Sequence, residues 1–191
     1  SSTVTEGTVV GTAAGAAIGL AACGKENKAQ CALLGGFVGA LLGTAAGIFV
    51  DTKQSDYAST EDYYDQQIKE ATKLNQELAQ YNRSLRNSIQ VDRRQTDSLI
   101  AQYQSGKASK SQLEALRNDI EKKRQSNSNN LKDLDKELEK QKNLLAKMQQ
   151  EKNRKADLLR KQIKKTQDET TALRKSVDDM GNLSAKVGGY L

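Results

Sequence analysis

The chain has 191 residues, of which 28% are charged and 4% are aromatic, and it contains no proline, tryptophan or histidine. So few aromatic residues and no proline exclude an ordinary compact α/β or all-β domain of this length. The net charge of +6 would suit a nucleic-acid ligand, but acidic and basic residues are interleaved along the polar part of the chain. That pattern is typical of solvated helix faces, so no nucleic-acid partner is expected.

The residue types that catalysis needs are largely missing. Neither Cys23 nor Cys31 has a histidine to act as its base, and carboxylates such as Asp133 and Asp135 fall on helix faces where solubility explains them. One cysteine pair without histidine does not make a zinc site. The glycines lie inside apolar segments and not in a strand-to-helix turn, so they do not form a phosphate-binding loop. We therefore expect no enzyme, no metal and no cofactor.

A polar arm, residues 1–6, precedes two apolar segments. Residues 7–24 and 31–50 contain no charged residue, and a short polar loop, residues 24–30, joins them. As helices, segments of 18 and 20 residues would be about 27–30 Å long, which matches the hydrocarbon core of a bilayer. The pattern predicts a transmembrane helical hairpin over residues 7–50. Ser1 and Ser2 would suit the positions just after a lipidated cysteine.

Glycine recurs at every fourth position in both apolar segments. This spacing keeps the glycines near one helix face, although each costs up to about 1 kcal/mol relative to alanine in a helix. In lipid, close backbone approach drives helices together, so rows of glycine indicate a packing face and favour a homo-oligomer. The membrane-packing residues predicted from this spacing are Gly7, Gly11, Gly15, Gly19, Gly35, Gly39, Gly43 and Gly47.

Two cysteines, Cys23 and Cys31, flank the loop between the apolar segments. A disulfide between them would close a nine-residue ring and stabilise the hairpin by about 2.5 kcal/mol. It would also imply an oxidising compartment. Two alternatives stay open: a pair of buried thiols, and a lipidation signal ending at Cys23, which would cut the first apolar segment. We predict the disulfide.

Residues 51–191 have the heptad pattern of a helical coiled-coil domain, with apolar residues at seven-residue steps on both sides of Gly106. Gly106 suits a left-handed helix cap, and Ser111 and Glu114 have the spacing of a capping box. An antiparallel turn is therefore expected near residues 105–110, with a straight helix through Gly106 as the alternative. The second helix is predicted to run to Met180, with a stutter or local kink at residues 125–130, and to end before a flexible C-terminal tail.

A basic patch occupies the window 151–165, which has seven basic and two acidic residues and a net charge of +5. If the first helix leaves the membrane at Asp51 and turns near Gly106, an antiparallel return brings this window to headgroup height, where each cation contributes about 1 kcal/mol. Residues 157–180 would then lack an intramolecular partner and contact a neighbouring subunit. The predicted patch is Lys152, Arg154, Lys155, Arg160, Lys161, Lys164 and Lys165.

The two rows of four glycines within residues 7–50 resemble the glycine-zipper two-helix family of bacterial outer-membrane lipoproteins, of the SlyB type. The resemblance implies a lipid-anchored, oligomer-forming protein of the outer membrane that supports other envelope components. With the heptads, the expected fold is all-α: a glycine-zipper transmembrane hairpin followed by a long antiparallel coiled-coil hairpin in the periplasm.

Two functions are compatible with this fold. The first is an oligomeric structural scaffold whose partners are membrane lipid, further copies of the chain, and other envelope proteins of a secretion, pilus or flagellar machine. The second is an α-helical pore-forming protein that inserts the hairpin as a tongue. A pore needs a polar face, and the weakly polar positions in the apolar segments are few: Thr8, Thr12 and Thr44. The scaffold is therefore favoured.

Overall fold

The computed structural model describes residues 57–191, which form three α-helices and no strand. We name them α1 (Thr60–Gln104), α2 (Lys110–Gln150) and α3 (Ala156–Gly188). This part of the chain is therefore all-α, as predicted. The polar arm, the predicted hairpin with its eight membrane-packing glycines, and both cysteines lie outside the described residues.

The connection between α1 and α2 lies at residues 105–109, where the sequence predicts a turn. Gly106 adopts a left-handed conformation with a φ of 73°. Its N–H donates to the carbonyl of Tyr103, and the N–H of Lys107 donates to the carbonyl of Gln102. These two bonds form the Schellman arrangement that closes the C-terminal end of a helix.

α2 begins at a capping box two residues earlier than the sequence indicates. The Ser109 hydroxyl accepts from the Gln112 N–H at 3.3 Å, and the Gln112 side chain accepts from the Ser109 N–H at 2.8 Å. The expected pair, Ser111 and Glu114, lies inside the helix. Both pairs have the required spacing, and the tighter turn after Gly106 selects the first.

A third helix is the main departure from the prediction. α2 ends at Gln150 and α3 begins at Ala156, so the helix expected to run to Met180 is broken at residues 151–155. The stretch 125–130, where a stutter or local kink was expected, lies inside α2, so the break occurs about 20 residues later. A straight continuation would expose the apolar stripe beyond the break, whereas folding back buries it within the chain: Leu159, Ile163, Leu173, Val177 and Met180. The prediction that residues 157–180 lack an intramolecular partner is therefore wrong.

α3 also continues through the segment predicted to be a flexible tail. Gly181 lies inside the helix, which extends to Gly188. A Cβ at Gly181 would make an ordinary contact 3.6 Å from Arg124 Cδ, whereas one at Gly188 would lie 3.3 Å from Arg117 Cζ and displace that side chain slightly. Both glycines lie where α3 packs against α2, and these two helices have the most extensive backbone contact of the three helix pairs.

The three helices run up, down and up, so α1 and α3 are parallel. Asn75 contacts Gln162, and Asn82 contacts Glu169, so the register between these helices is 87 residues at both places. We call the end with the start of α1 and the α2–α3 connection the basal end, and the opposite end, with the α1–α2 turn and Leu191, the distal end. A two-helix hairpin was expected, and a three-helix bundle is found.

The core has three apolar clusters along the bundle axis. The basal cluster contains Tyr64, Ala71, Leu138, Met148, Ala156, Leu159 and Ile163. The central cluster contains Leu74, Leu78, Tyr81, Leu85, Ile89, Ile120, Leu131, Leu134, Leu173, Val177, Met180 and Leu183. The distal cluster contains Ile100, Leu113 and Val187. Every cluster takes residues from all three helices, so each helix needs the other two to bury its apolar face.

Candidate interaction surface

The α2–α3 connection is attached to the first turns of α1 by polar contacts. Lys155 Nζ lies 2.9 Å from Glu61 and 2.7 Å from Asp65, and Asn153 donates to Glu61 at 2.6 Å. The Tyr64 hydroxyl donates to Glu151 at 2.5 Å. These contacts fix the position of the connection against α1, even though the two segments are far apart in the sequence.

Charge and burial shift the pKa values of these groups in consistent directions. Hydrogen bonds from Lys155 and Asn153 hold the pKa of Glu61 below its ordinary value, and the bonds to Asp65 and Glu61 raise the pKa of Lys155. Burial, together with the hydrogen bond to Glu151, raises the pKa of Tyr64. The lysine and the carboxylate therefore stay charged, and the tyrosine stays neutral, around neutral pH.

The structure places the predicted basic patch on the α2–α3 connection and the first three turns of α3, and divides it into two groups. Three residues form ion pairs. Lys155 pairs with Asp65 of α1, Arg160 pairs with Asp157 at 2.5 Å, and Lys164 lies 3.6 Å from Asp168. The other four form no ion pair within residues 57–191: Lys152, Arg154, Lys161 and Lys165. These four side chains are exposed. We call them the free cations.

An exposed leucine lies among the free cations. Leu158 is 50% exposed, and no other large hydrophobic residue within residues 57–191 is exposed. Lys161 and Lys165 follow it by three and seven residues, so all three share one face of α3. Sequence reasoning missed Leu158. The signal was available, because Leu159, and not Leu158, falls on the seven-residue row of apolar positions that predicts the core.

Two tyrosines add aromatic surface to the same end of the bundle. The rings of Tyr57 and Tyr63 meet edge to face, with centroids 5.3 Å apart. Both are half-buried, and Tyr63 packs against the basal cluster. Burial raises the pKa of Tyr63. Aromatic, aliphatic and cationic side chains therefore coexist at the basal end.

Buried polar side chains join α1 to α3 beside the apolar clusters. Asn75 donates to the Gln162 carbonyl at 2.9 Å, and Asn82 donates to the Glu169 carbonyl at 2.8 Å. An open groove of about 360 Å³ follows this part of the α1–α3 interface. Because these side-chain amides donate to backbone carbonyls of α3, we infer that they fix the register between α1 and α3.

Two buried carboxyl groups have different surroundings. Asp92 pairs with Lys123 at 2.6 Å between α1 and α2. Glu137 is 4% exposed and accepts a 3.3 Å hydrogen bond from Gln141, which in turn accepts from Thr166. Burial raises the pKa of Glu137 to about 7, with the bond from Gln141 and the charge of Lys140 acting in the opposite direction. Sequence reasoning missed this group, because the heptad pattern of α2 does not mark it as buried.

Residues 57–191 bring together no group of three acidic, cysteine or histidine side chains that could hold a metal ion. None of the three described helices is long and apolar enough to cross a membrane. Searches of protein-family models, curated proteins and solved structures find no match to the chain. The glycine-zipper resemblance of residues 7–50 and the disulfide between Cys23 and Cys31 therefore stay predictions.

Proposed function

We propose that the protein is an oligomeric structural lipoprotein scaffold of the bacterial outer membrane. In this proposal the glycine-zipper hairpin of residues 7–50 anchors the chain in the membrane, and the three-helix bundle extends into the periplasm. The bundle contacts other envelope proteins of a larger assembly, of the kind found in secretion, pilus or flagellar machines. The support comes from the sequence of the hairpin and from the geometry of the bundle.

The observation that carries the proposal is the short connection between the apolar segment and the bundle. Only residues 51–56 separate Val50, the last residue of the second apolar segment, from Tyr57 at the basal end. Even fully extended, these residues span at most about 25 Å. If residues 31–50 cross a bilayer, the basal end must therefore lie close to the membrane surface.

The bundle has the dimensions of a rigid spacer. α1 has 45 residues, so it is about 67 Å long at a rise of 1.5 Å per residue. Three core clusters and two polar contacts in constant register couple α1 to its neighbours along this length. A partner bound at the distal end would be held about 67 Å from the basal end.

Extraction and mass measurements test the proposal. The full chain should stay with membranes through salt and carbonate washes, dissolve only in detergent, and give a native mass of several subunits. A water-soluble monomer that joins membranes later would contradict the scaffold and support the pore-forming alternative.

The glycine rows are tested separately by substitution. Leucine at Gly11, Gly15, Gly39 and Gly43 keeps the segments apolar but separates the backbones, so assembly should be lost while membrane insertion is kept. A matched control places leucine at four bulky positions instead: Val9, Val10, Ile18 and Val38. An unchanged oligomer on native gels for the glycine variant would refute packing through glycine.

A further inference from the structure

We infer that the basal end of the bundle docks on the surface of an anionic membrane, with Leu158 inserted at headgroup level and the free cations around it. This inference rests on the proposed membrane anchor and deepens it by naming the lipid class that the bundle contacts. Its consequence is a bundle with a fixed orientation, instead of one that swings on residues 51–56.

The exposed leucine is the first argument. Its neighbour Leu159 is 1% exposed in the basal cluster, so the helix already has its core residue at this turn. Leu158 adds nothing to that core and leaves half of its surface in water. An aliphatic side chain of this kind gains by entering the boundary between headgroups and acyl chains.

The basic residues around Leu158 differ in whether they form ion pairs. Arg160 pairs with Asp157 beside Leu158, and Lys164 pairs with Asp168 farther along α3. Lys161 and Lys165, on the face of Leu158, form no ion pair within residues 57–191, and the acidic residues of that face begin one turn beyond Lys165. Charge complementarity therefore points from the leucine face to a negative surface, and each cation near such a surface strengthens binding about fivefold.

The α2–α3 connection lies at the same end of the bundle as the start of α1. Lys152 and Arg154 lie in the α2–α3 connection, which Lys155 ties to the first turn of α1. The six residues before Tyr57 limit the distance between this end and the apolar segment. Tyr57 and Tyr63 belong to the residue type that concentrates at membrane interfaces. The connection and the first three turns of α3, which contain Leu158 and the free cations, thus form the part of the bundle that the anchor keeps nearest to lipid.

Fluorescence can test the docking in the intact protein. The chain contains no tryptophan, so Leu158→Trp introduces a single reporter. The full-length variant is reconstituted in vesicles of phosphatidylcholine alone or with about one third phosphatidylglycerol, each with brominated acyl chains that quench nearby tryptophan. We expect strong quenching and a blue shift in the anionic vesicles and weaker effects in the neutral ones. Gln104→Trp, exposed at the distal end, is the control and should not be quenched.

Charge reversal tests the role of the free cations. Adding Lys161→Glu and Lys165→Glu to the reporter should weaken the response to anionic lipid on the order of tenfold or more. Adding Lys122→Glu and Lys132→Glu, two exposed lysines of α2 farther from the basal end, changes the net charge equally and should leave the response intact. Equal losses from both pairs would overturn the assignment to the basal face.

The outcomes separate this inference from the anchor. If the chain floats with vesicles but the tryptophan at position 158 is unquenched, or is quenched equally in neutral lipid, docking is wrong and the anchor stands. If the chain does not float with either kind of vesicle, the proposed anchor fails and the docking fails with it. Quenching that requires anionic lipid and both lysines supports the inference.

Discussion

The two connections of the bundle end their helices with the same backbone motif but different residues. At the distal end, Gly106 takes the left-handed position after α1 with a φ of 73°. At the basal end, Lys152 takes it after α2 with a φ of 52°, donating to the Gln149 carbonyl while Asn153 donates to the Met148 carbonyl. Glycine adopts this conformation without a steric penalty, whereas lysine does not. One turn is thus set by its own residues, and the other depends on contacts elsewhere.

Those contacts are visible around the basal turn. Lys155 binds Glu61 and Asp65, Asn153 binds Glu61, and Leu159 is buried directly after the turn. They are made with α1, about 90 residues earlier in the chain. Together they hold Lys152 in a conformation that its side chain disfavours.

The largest expected effect comes from breaking the packing that the basal turn creates. Leu159→Ala should lower the free energy of unfolding by about 2–5 kcal/mol, because it leaves a cavity among α1, α2 and α3. Leu158→Ala, one residue earlier and half exposed, is the matched control and should change stability by less than about 0.5 kcal/mol. Urea unfolding followed by circular dichroism in detergent would measure both. Equal effects would mean that the chain does not fold back at residues 151–155.

The contrast between the turns also explains which parts of the fold could be predicted from the sequence. The heptads predict long helices, and Gly106 marks the distal turn, because periodicity and glycine act locally. The basal turn has no such mark: Lys152 is a poor left-handed residue, and the ion pairs of Lys155 become visible only in three dimensions. The basic patch was recognised by composition, but its division into paired and free cations depends on neighbours along α3 and on α1.

Buried acids extend the comparison from the turns to the bundle interior, and they give a pH prediction. Glu137 has a folded pKa of about 7, above its ordinary value of 4.5. Between those values the folded chain binds more protons than the unfolded chain, so stability is full below about pH 4.5 and falls as the pH rises through 7. The expected loss is about 3 kcal/mol. Asp92, in contrast, has Lys123 as its charged partner.

Glu137→Gln removes this titration while keeping the shape of the protonated side chain. The variant should match the parent near pH 4 and exceed its unfolding free energy by about 3 kcal/mol near pH 8. Urea unfolding at both pH values is the measurement. A constant difference between variant and parent at the two pH values would show that Glu137 does not titrate in this window.

Substitutions at the two left-handed residues should change stability by smaller amounts, and in opposite directions. Gly106→Ala should destabilise the protein by about 1 kcal/mol through backbone strain alone, since a Cβ there would meet no atom within 4 Å. Lys152→Gly should stabilise it by a similar or smaller amount, because relief of strain is partly offset by the greater entropy of the unfolded chain. Thermal unfolding resolves differences of this size. Two changes of the same sign would contradict the comparison of the turns.

The smallest expected difference concerns the cap that follows the distal turn. Ser109→Ala removes the hydroxyl that accepts from the Gln112 N–H, so it should cost about 1 kcal/mol. Ser111→Ala, which replaces the serine of the other capping sequence, lies inside α2 and should be neutral or slightly stabilising, because alanine favours helix. The two variants have identical composition, so any difference in unfolding free energy reports the position of the cap. A larger loss at Ser111 would move the start of α2 to the position that the sequence pattern first indicated. It would also lengthen the distal turn by two residues, which would weaken the view that its geometry is set locally by Gly106.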